Sequence, residues 1–97
     1  MALFVVVALH NSAPAIGKNI AEGFPDNFYE VEEDKWFVAT TLVTAKQVSD
    51  KLGITTDDKL PAPPILTGIV IRIGGYFGRG STDMWEWIAA KSIKTSA

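Results

Sequence analysis

The run Ala2 to Leu9 is apolar throughout and rich in β-branched Val, a pattern that predicts a strand buried on both faces at the middle of a sheet. His10-Asn11-Ser12 interrupts it. Ser12 or Asn11 can cap a following helix whose first turn accommodates Pro14, and Ala13, Ile16, Ile20 and Ala21 recur near helical spacing up to an end at Gly23. Gly17 weakens that helix by about 1 kcal/mol relative to Ala, which points to close packing on the sheet or to a frayed end. After the turn cluster Phe24 to Asn27, the segments Phe28 to Val31 and Trp36 to Leu42 flank the polar tip Glu32 to Lys35, the pattern of a hairpin.

Thr44 and Gln47 form a Thr-x-x-Gln box, and Ala45, Val48 and Leu52 give a short apolar stripe before Gly53 closes a second helix. Thr55 to Lys59 and Pro61 to Pro64 make a polar and then proline-rich connection, extended and unable to sustain helix or central-strand hydrogen bonding. Ile65 to Ile73 is the last strand, followed by the glycine-rich loop Gly74 to Gly80. A terminal helix starts at Ser81-Thr82-Asp83 and carries Met84, Trp85, Trp87 and Ile88. The order predicts an α+β fold of the ferredoxin-like, split βαβ kind: a βαββαβ antiparallel sheet with helices on one face and an extra C-terminal helix. Residues 1–97 read as one domain.

Composition narrows the function classes. At 97 residues there is no room for two full domains, and 47% apolar content with three Trp, five Phe and two Tyr supplies a core. The absence of Cys removes disulfides, thiolate metal sites and a cysteine nucleophile, and is compatible with a reducing compartment. Nine Lys plus Arg against eleven Asp plus Glu lacks the basic excess on which nucleic-acid binding relies. The opening apolar run has no basic residue before it and falls short of the ~20 residues that span a bilayer, so neither a signal peptide nor a membrane anchor is expected.

A short chain opening on an apolar strand, with a Glu-x-x-x-Trp hairpin (Glu32 to Trp36), a capped second helix and a terminal Met84-Trp85-Glu86-Trp87, resembles the SinR-like small bacterial proteins. These in turn look like relatives of the CRISPR-associated adaptation endonucleases. The resemblance implies a ferredoxin-like fold and a tendency to dimerise. In the nuclease family an Asp near the end of the first strand supports a divalent metal. Here Leu9-His10-Asn11 holds that place without a carboxylate, so neither metal-dependent activity nor a catalytic residue carries over.

Four features bear on chemistry. Gly75, Gly78, Arg79, Gly80 and Ser81 form a loop-to-helix junction that could cradle an anion on backbone N–H groups with Arg79 as its grip. Their Gly-x-x-Gly-x-Gly spacing is neither a dinucleotide fingerprint nor a phosphate loop ending in Lys-Ser/Thr, and the plainer reading is a flexible connection with glycines at positive φ. His10 and Asn11 end a central strand, where site residues collect, yet adjacent His10 and Ser12 side chains on such a turn point apart. Glu30, Glu32, Glu33 and Asp34 lack the spacing of a Ca²⁺ loop and read as a solvated tip that protects a sheet edge. Trp85 and Trp87, two positions apart on a helix, point to opposite sides, so one of them is expected to face a partner. Together these features predict a cytoplasmic, non-catalytic interaction or regulatory module without cofactor or metal, forming a homodimer, with a protein partner and no membrane. The alternatives are a metal-dependent nuclease-like enzyme and a nucleotide or anion sensor built on the Gly74 to Gly80 loop.

Overall fold

The computed structural model describes residues 1–55 and 66–92. The chain runs β1 (Ala2–Leu9), α1 (Ala13–Gly23), β2 (Phe28–Glu32), β3 (Lys35–Thr40), α2 (Ala45–Leu52), β4 (Thr67–Arg72) and α3 (Thr82–Ser92). The connection expected over residues 56–64, the first residue of the expected last strand and the tail after Ser92 lie outside the described residues. The four strands form one antiparallel sheet in the order β2-β3-β1-β4. Strand β1 is thus central, flanked by β3 in a register pairing Phe4 with Val38 and by β4 in a register pairing Val6 with Val70.

Alternation along the strands sorts side chains onto two faces. Phe4, Val6, Ala8, Trp36 and Val38 join Ile16, Ile20 and Phe24 of the α1 region and Val48, Leu52 and Ile54 of the α2 region in the main core. Phe4, Ile16, Ile20, Leu52, Val6, Val38 and Val48 are fully buried, each such side chain being worth about 1.5–3 kcal/mol of transfer free energy. Gly17 is explained by contact: a Cβ there would lie 3.1 Å from Cζ2 of Trp36, so the missing side chain lets α1 settle on the indole. Helix α2 starts on the expected capping box, with the Gln47 backbone N–H donating to Thr44 Oγ1 at 3.1 Å and Gln47 Oε1 accepting from the Thr44 N–H at 3.1 Å. It ends at Gly53 in the left-handed region (φ 82°), which favours glycine. The Asn19 side-chain amide donates to the Leu52 carbonyl at 2.8 Å and ties the two helices together.

The opposite face departs from expectation in two respects. The helices do not all share one face: α3 lies across the other side of the sheet, where Ile88 packs on Leu3 and Ala39. Nor is β1 equally buried on both faces, since Val5, Val7 and Leu9 are only half-buried while Phe4, Val6 and Ala8 are buried. The reason is one of area. Among the described residues, α1 and α2 together roof one face, whereas α3 is seated at the Leu3, Ala39 and Ile73 end of the other. Among the described residues, no helix is long and apolar enough to cross a membrane.

Candidate functional site

The β1–α1 turn places His10 (φ 48°) and Asn11 (φ 65°) in the left-handed region, both exposed. Two successive residues of this kind reverse the chain sharply, a conformation Asn tolerates better than most side chains. Ser12 occupies the N-cap position of α1, yet its side chain makes no cap hydrogen bond. Its buried hydroxyl instead accepts from the Thr67 backbone N–H at 2.9 Å, fastening the turn to the start of β4. Ser12 is therefore a structural clasp, and the turn holds no nucleophile–base pair built on it.

The loop after β4 runs without regular structure from Ile73 to Ser81. None of its glycines adopts the left-handed φ expected of them; among the described glycines only Gly53 does. A Cβ at Gly74, Gly75 or Gly78 would meet nothing within 4 Å, so these positions stand clear of the body of the protein. Ser81 Oγ accepts from the Met84 N–H at 3.2 Å and lies 3.3 Å from the Tyr29 hydroxyl, so it serves the start of α3. Asp83 adds a carboxylate in the first turn, where it complements the helix dipole and opposes an incoming anion. Of the predicted anion-binding set, Arg79 alone offers a charge, on the rim of a surface cavity of about 200 Å³ walled by Phe37, Tyr76, Phe77 and Trp85.

The rings around α3 form a connected layer. Trp87 packs against Tyr29 (centroids 6.1 Å) and Phe37 (6.4 Å), and Trp85 stacks on Tyr76 (6.0 Å). The expectation that only one tryptophan faces inward is not met, because both pack against the same cluster as Ile88. A helix lying on a broad sheet can set rings down on either side of its contact line. Lys91 donates to the Asn27 side-chain carbonyl at 2.8 Å and fixes the far end of α3 to the turn before β2. Phe77, in the same loop, is fully exposed.

The acidic tip is solvated and paired locally. Lys35 Nζ lies 3.0 Å from Asp34 Oδ1 and 4.0 Å from Glu32 Oε1. The Asp34 hydrogen bond, helped by the Asp34 and Glu32 charges and opposed by desolvation, holds the Lys35 ammonium above its ordinary pKa. Among the described residues, no three His, Asp or Glu side chains converge as a metal-binding group. Asp57 and Asp58 lie outside the described residues.

Sequence reasoning missed the sheet face itself. Beyond α3, Ile69 is 49% and Ile71 53% exposed, side by side with half-buried Val7 and Val5 across the β1–β4 register. The signal was present: the strands supply apolar residues at both parities, while among the described residues one short helix, α3, packs on the second face. No protein-family model matches this chain, and no curated protein matches it either.

Proposed function

We propose that this chain is a small, non-catalytic interaction module that associates with a second copy of itself through the part of the sheet that α3 leaves open. One observation carries the reading: the aliphatic stripe of Val5, Val7, Ile69 and Ile71, half-exposed on an otherwise ordered sheet face. Contiguous exposed apolar surface rimmed by polar groups is a mark of interaction sites, and homo-oligomers are the commonest way such a face is covered. The element order and the β2-β3-β1-β4 arrangement support placing the fold in the ferredoxin-like class. The resemblance to the SinR-like proteins agrees, since dimerisation is what it implies. Trp85 and Trp87 then serve the interface indirectly, by holding α3 at the border of the stripe.

A nucleotide or anion sensor is the second reading, and the Arg79-rimmed aromatic cavity favours it. Its volume of about 200 Å³ falls below the ~300–1,000 Å³ of typical ligand pockets, so it would enclose a small anion or one part of a nucleotide and leave the remainder in solvent. Sedimentation equilibrium from micromolar to millimolar concentration decides between them. A reversible dimer weakened by Ile71→Lys supports the module. A monomer at ~1 mM whose NMR shifts at Gly74 to Asp83 move on adding inorganic phosphate or nucleotide supports the sensor.

A further inference from the structure

The two edges of the sheet are unequal. Strand β2 carries Glu30 and Glu32, followed by Glu33, and its pairing with β3 is irregular between Glu30 and Glu32. Charge and irregularity of this kind block edge-to-edge pairing. Strand β4 reads Thr-Gly-Ile-Val-Ile-Arg, keeps an unbroken register with β1, and carries one charge, Arg72, at its end. Among the described residues, no strand pairs with its outer edge.

Backbone parity fixes what that edge presents. The Ile73 N–H donates to the Leu3 carbonyl at 2.9 Å, so Ile73 faces β1 with its main-chain groups. In an antiparallel pair this direction alternates, so Thr67, Ile69 and Ile71 also face β1 while Gly68, Val70 and Arg72 present N–H and C=O outward. The Thr67 N–H, directed at Ser12 just beyond the end of β1, has the parity this requires.

We propose that the outer edge of β4 pairs antiparallel with the same edge of a second copy, about a two-fold axis normal to the sheet and midway between the Val70 residues of the two copies. This rests on the self-association reading but not on its face contact: edge pairing joins the two stripes into one wider apolar face without covering it. Such an axis keeps each face on its own side, so opposed residues share parity. Centring on Val70 alone matches all three outward residues within the strand: Val70 opposes Val70, and Gly68 opposes Arg72 on both sides. A shift of two residues leaves one of them beyond the paired strand. In the Val70 register Ile69 opposes Ile71 of the second copy, so the aliphatic stripe continues across the junction. Arg72 meets a glycine and no like charge. Pairing through β2 would instead bring carboxylates of the two copies together, which like-charge repulsion disfavours. A six-residue edge is about 20 Å long and buries a few hundred Å² per copy, below the ~800 Å² of a standard interface, so the association is expected in the micromolar range or weaker.

The test is amide hydrogen exchange by NMR on the ¹⁵N-labelled full chain at ~20 µM and ~1 mM, with sedimentation equilibrium on the same samples. The expected result is alternation: amides of Gly68, Val70 and Arg72 slow about three- to sevenfold at the higher concentration, sevenfold being the most that a fiftyfold concentration change can lower a monomer fraction, while those of Ile69, Ile71 and Ile73 are protected at both. A dimer in which Gly68, Val70 and Arg72 gain no protection overturns the edge pairing and leaves self-association standing. A monomer at ~1 mM overturns both. Arg72→Pro removes an outward N–H that the intramolecular sheet does not use, and should weaken association at least tenfold, with Arg72→Thr as the unaffected control. A folded Arg72→Pro protein that associates like the parent also overturns the proposal. If that variant does not fold, the alternation in the parent still decides.

Discussion

Gly68→Ala and Gly75→Ala should move stability in opposite directions, and the structure sets the size of each. A Cβ at Gly68 would stand 2.8 Å from the Val7 carbonyl oxygen, 3.1 Å from Cδ1 of Ile54 and 3.2 Å from Cδ1 of Ile16. The first contact is backbone of the central strand, which cannot turn aside as a side chain can. Forcing an extra carbon into a packed core costs ~1–3 kcal/mol, offset by the ~0.5–1 kcal/mol that Ala gains over Gly inside a strand. With backbone as the obstacle the upper part of that range applies, and the net loss is about 1.5 kcal/mol. Gly75 is the contrast: nothing lies within 4 Å of its added Cβ and its φ is outside the left-handed region, so alanine there restricts the unfolded chain and gains about 0.4–1 kcal/mol. Urea unfolding at one fixed, low protein concentration reads both values without interference from association. For an m-value near 1 kcal/mol per molar, the Gly68→Ala midpoint falls by about 1.5 M and the Gly75→Ala midpoint rises by a few tenths of a molar or more. A Gly68→Ala protein as stable as the parent would refute the inference that close approach of β1 and β4 is what demands glycine at this position.

Three further outcomes follow from named contacts. Thr44→Ala removes half of the α2 capping box and should lower stability by about 1 kcal/mol, a fall of ~4–8 °C in Tm by circular dichroism; an unchanged Tm would show that α2 is held by packing alone. The Asp50 carboxyl is held below its ordinary pKa by the Thr55 hydroxyl and then by Lys46, so its contribution is full above the unfolded value near pH ~4 and is lost as pH falls through the lower folded value. Asp50→Asn should therefore flatten the acid limb of stability measured between pH 2 and 7, and an acid limb parallel to the parent's would sink this assignment. Trp87→Ala takes away the ring packed against Tyr29 and Phe37; for a half-buried indole the expected loss is about 2–3 kcal/mol in urea unfolding, with a collapse of near-ultraviolet dichroism, and a loss below ~1 kcal/mol would contradict the packing described.

Where local chemistry decides structure, the residues announced it. The Thr44–Gln47 box, the Gly53 that closes α2 and the order of the first six elements all follow from spacing and turn residues, while Gly17 left close packing and a frayed end both open until its contact with Trp36 decided for packing. What spacing does not encode is which face a helix covers. Met84, Trp85, Trp87 and Ile88 declare an amphipathic segment, but its placement on the side away from α1 and α2 depends on the area those helices leave bare. The half-exposure of Val5 and Val7 was hidden for the same reason, because a run of valines looks identical whether its second face meets a helix or solvent. The Gly74 to Gly80 segment misled through composition: glycines permit left-handed backbone without requiring it, and here the loop does not use that freedom. Ser12 misled through position, since a serine before a helix suggests a cap and this one reaches instead across to β4.

The central placement of β1 also sets the order in which the protein can be assembled. Phe4 pairs with Val38 on one side and with Arg72 on the other, so the sheet closes only when strands far apart in the chain have met. On a ribosome β1 emerges well before β4. During that interval β1 and β3 can zip together under α1, leaving the far edge of β1, with Val5 and Val7, open to any strand that reaches it. The Ser12 hydroxyl waits at the end of that edge for the Thr67 N–H, a bond made only as β4 arrives. Docking of β4 therefore closes the pairing of greatest sequence separation in the sheet, the kind of contact whose loop-closure entropy slows folding.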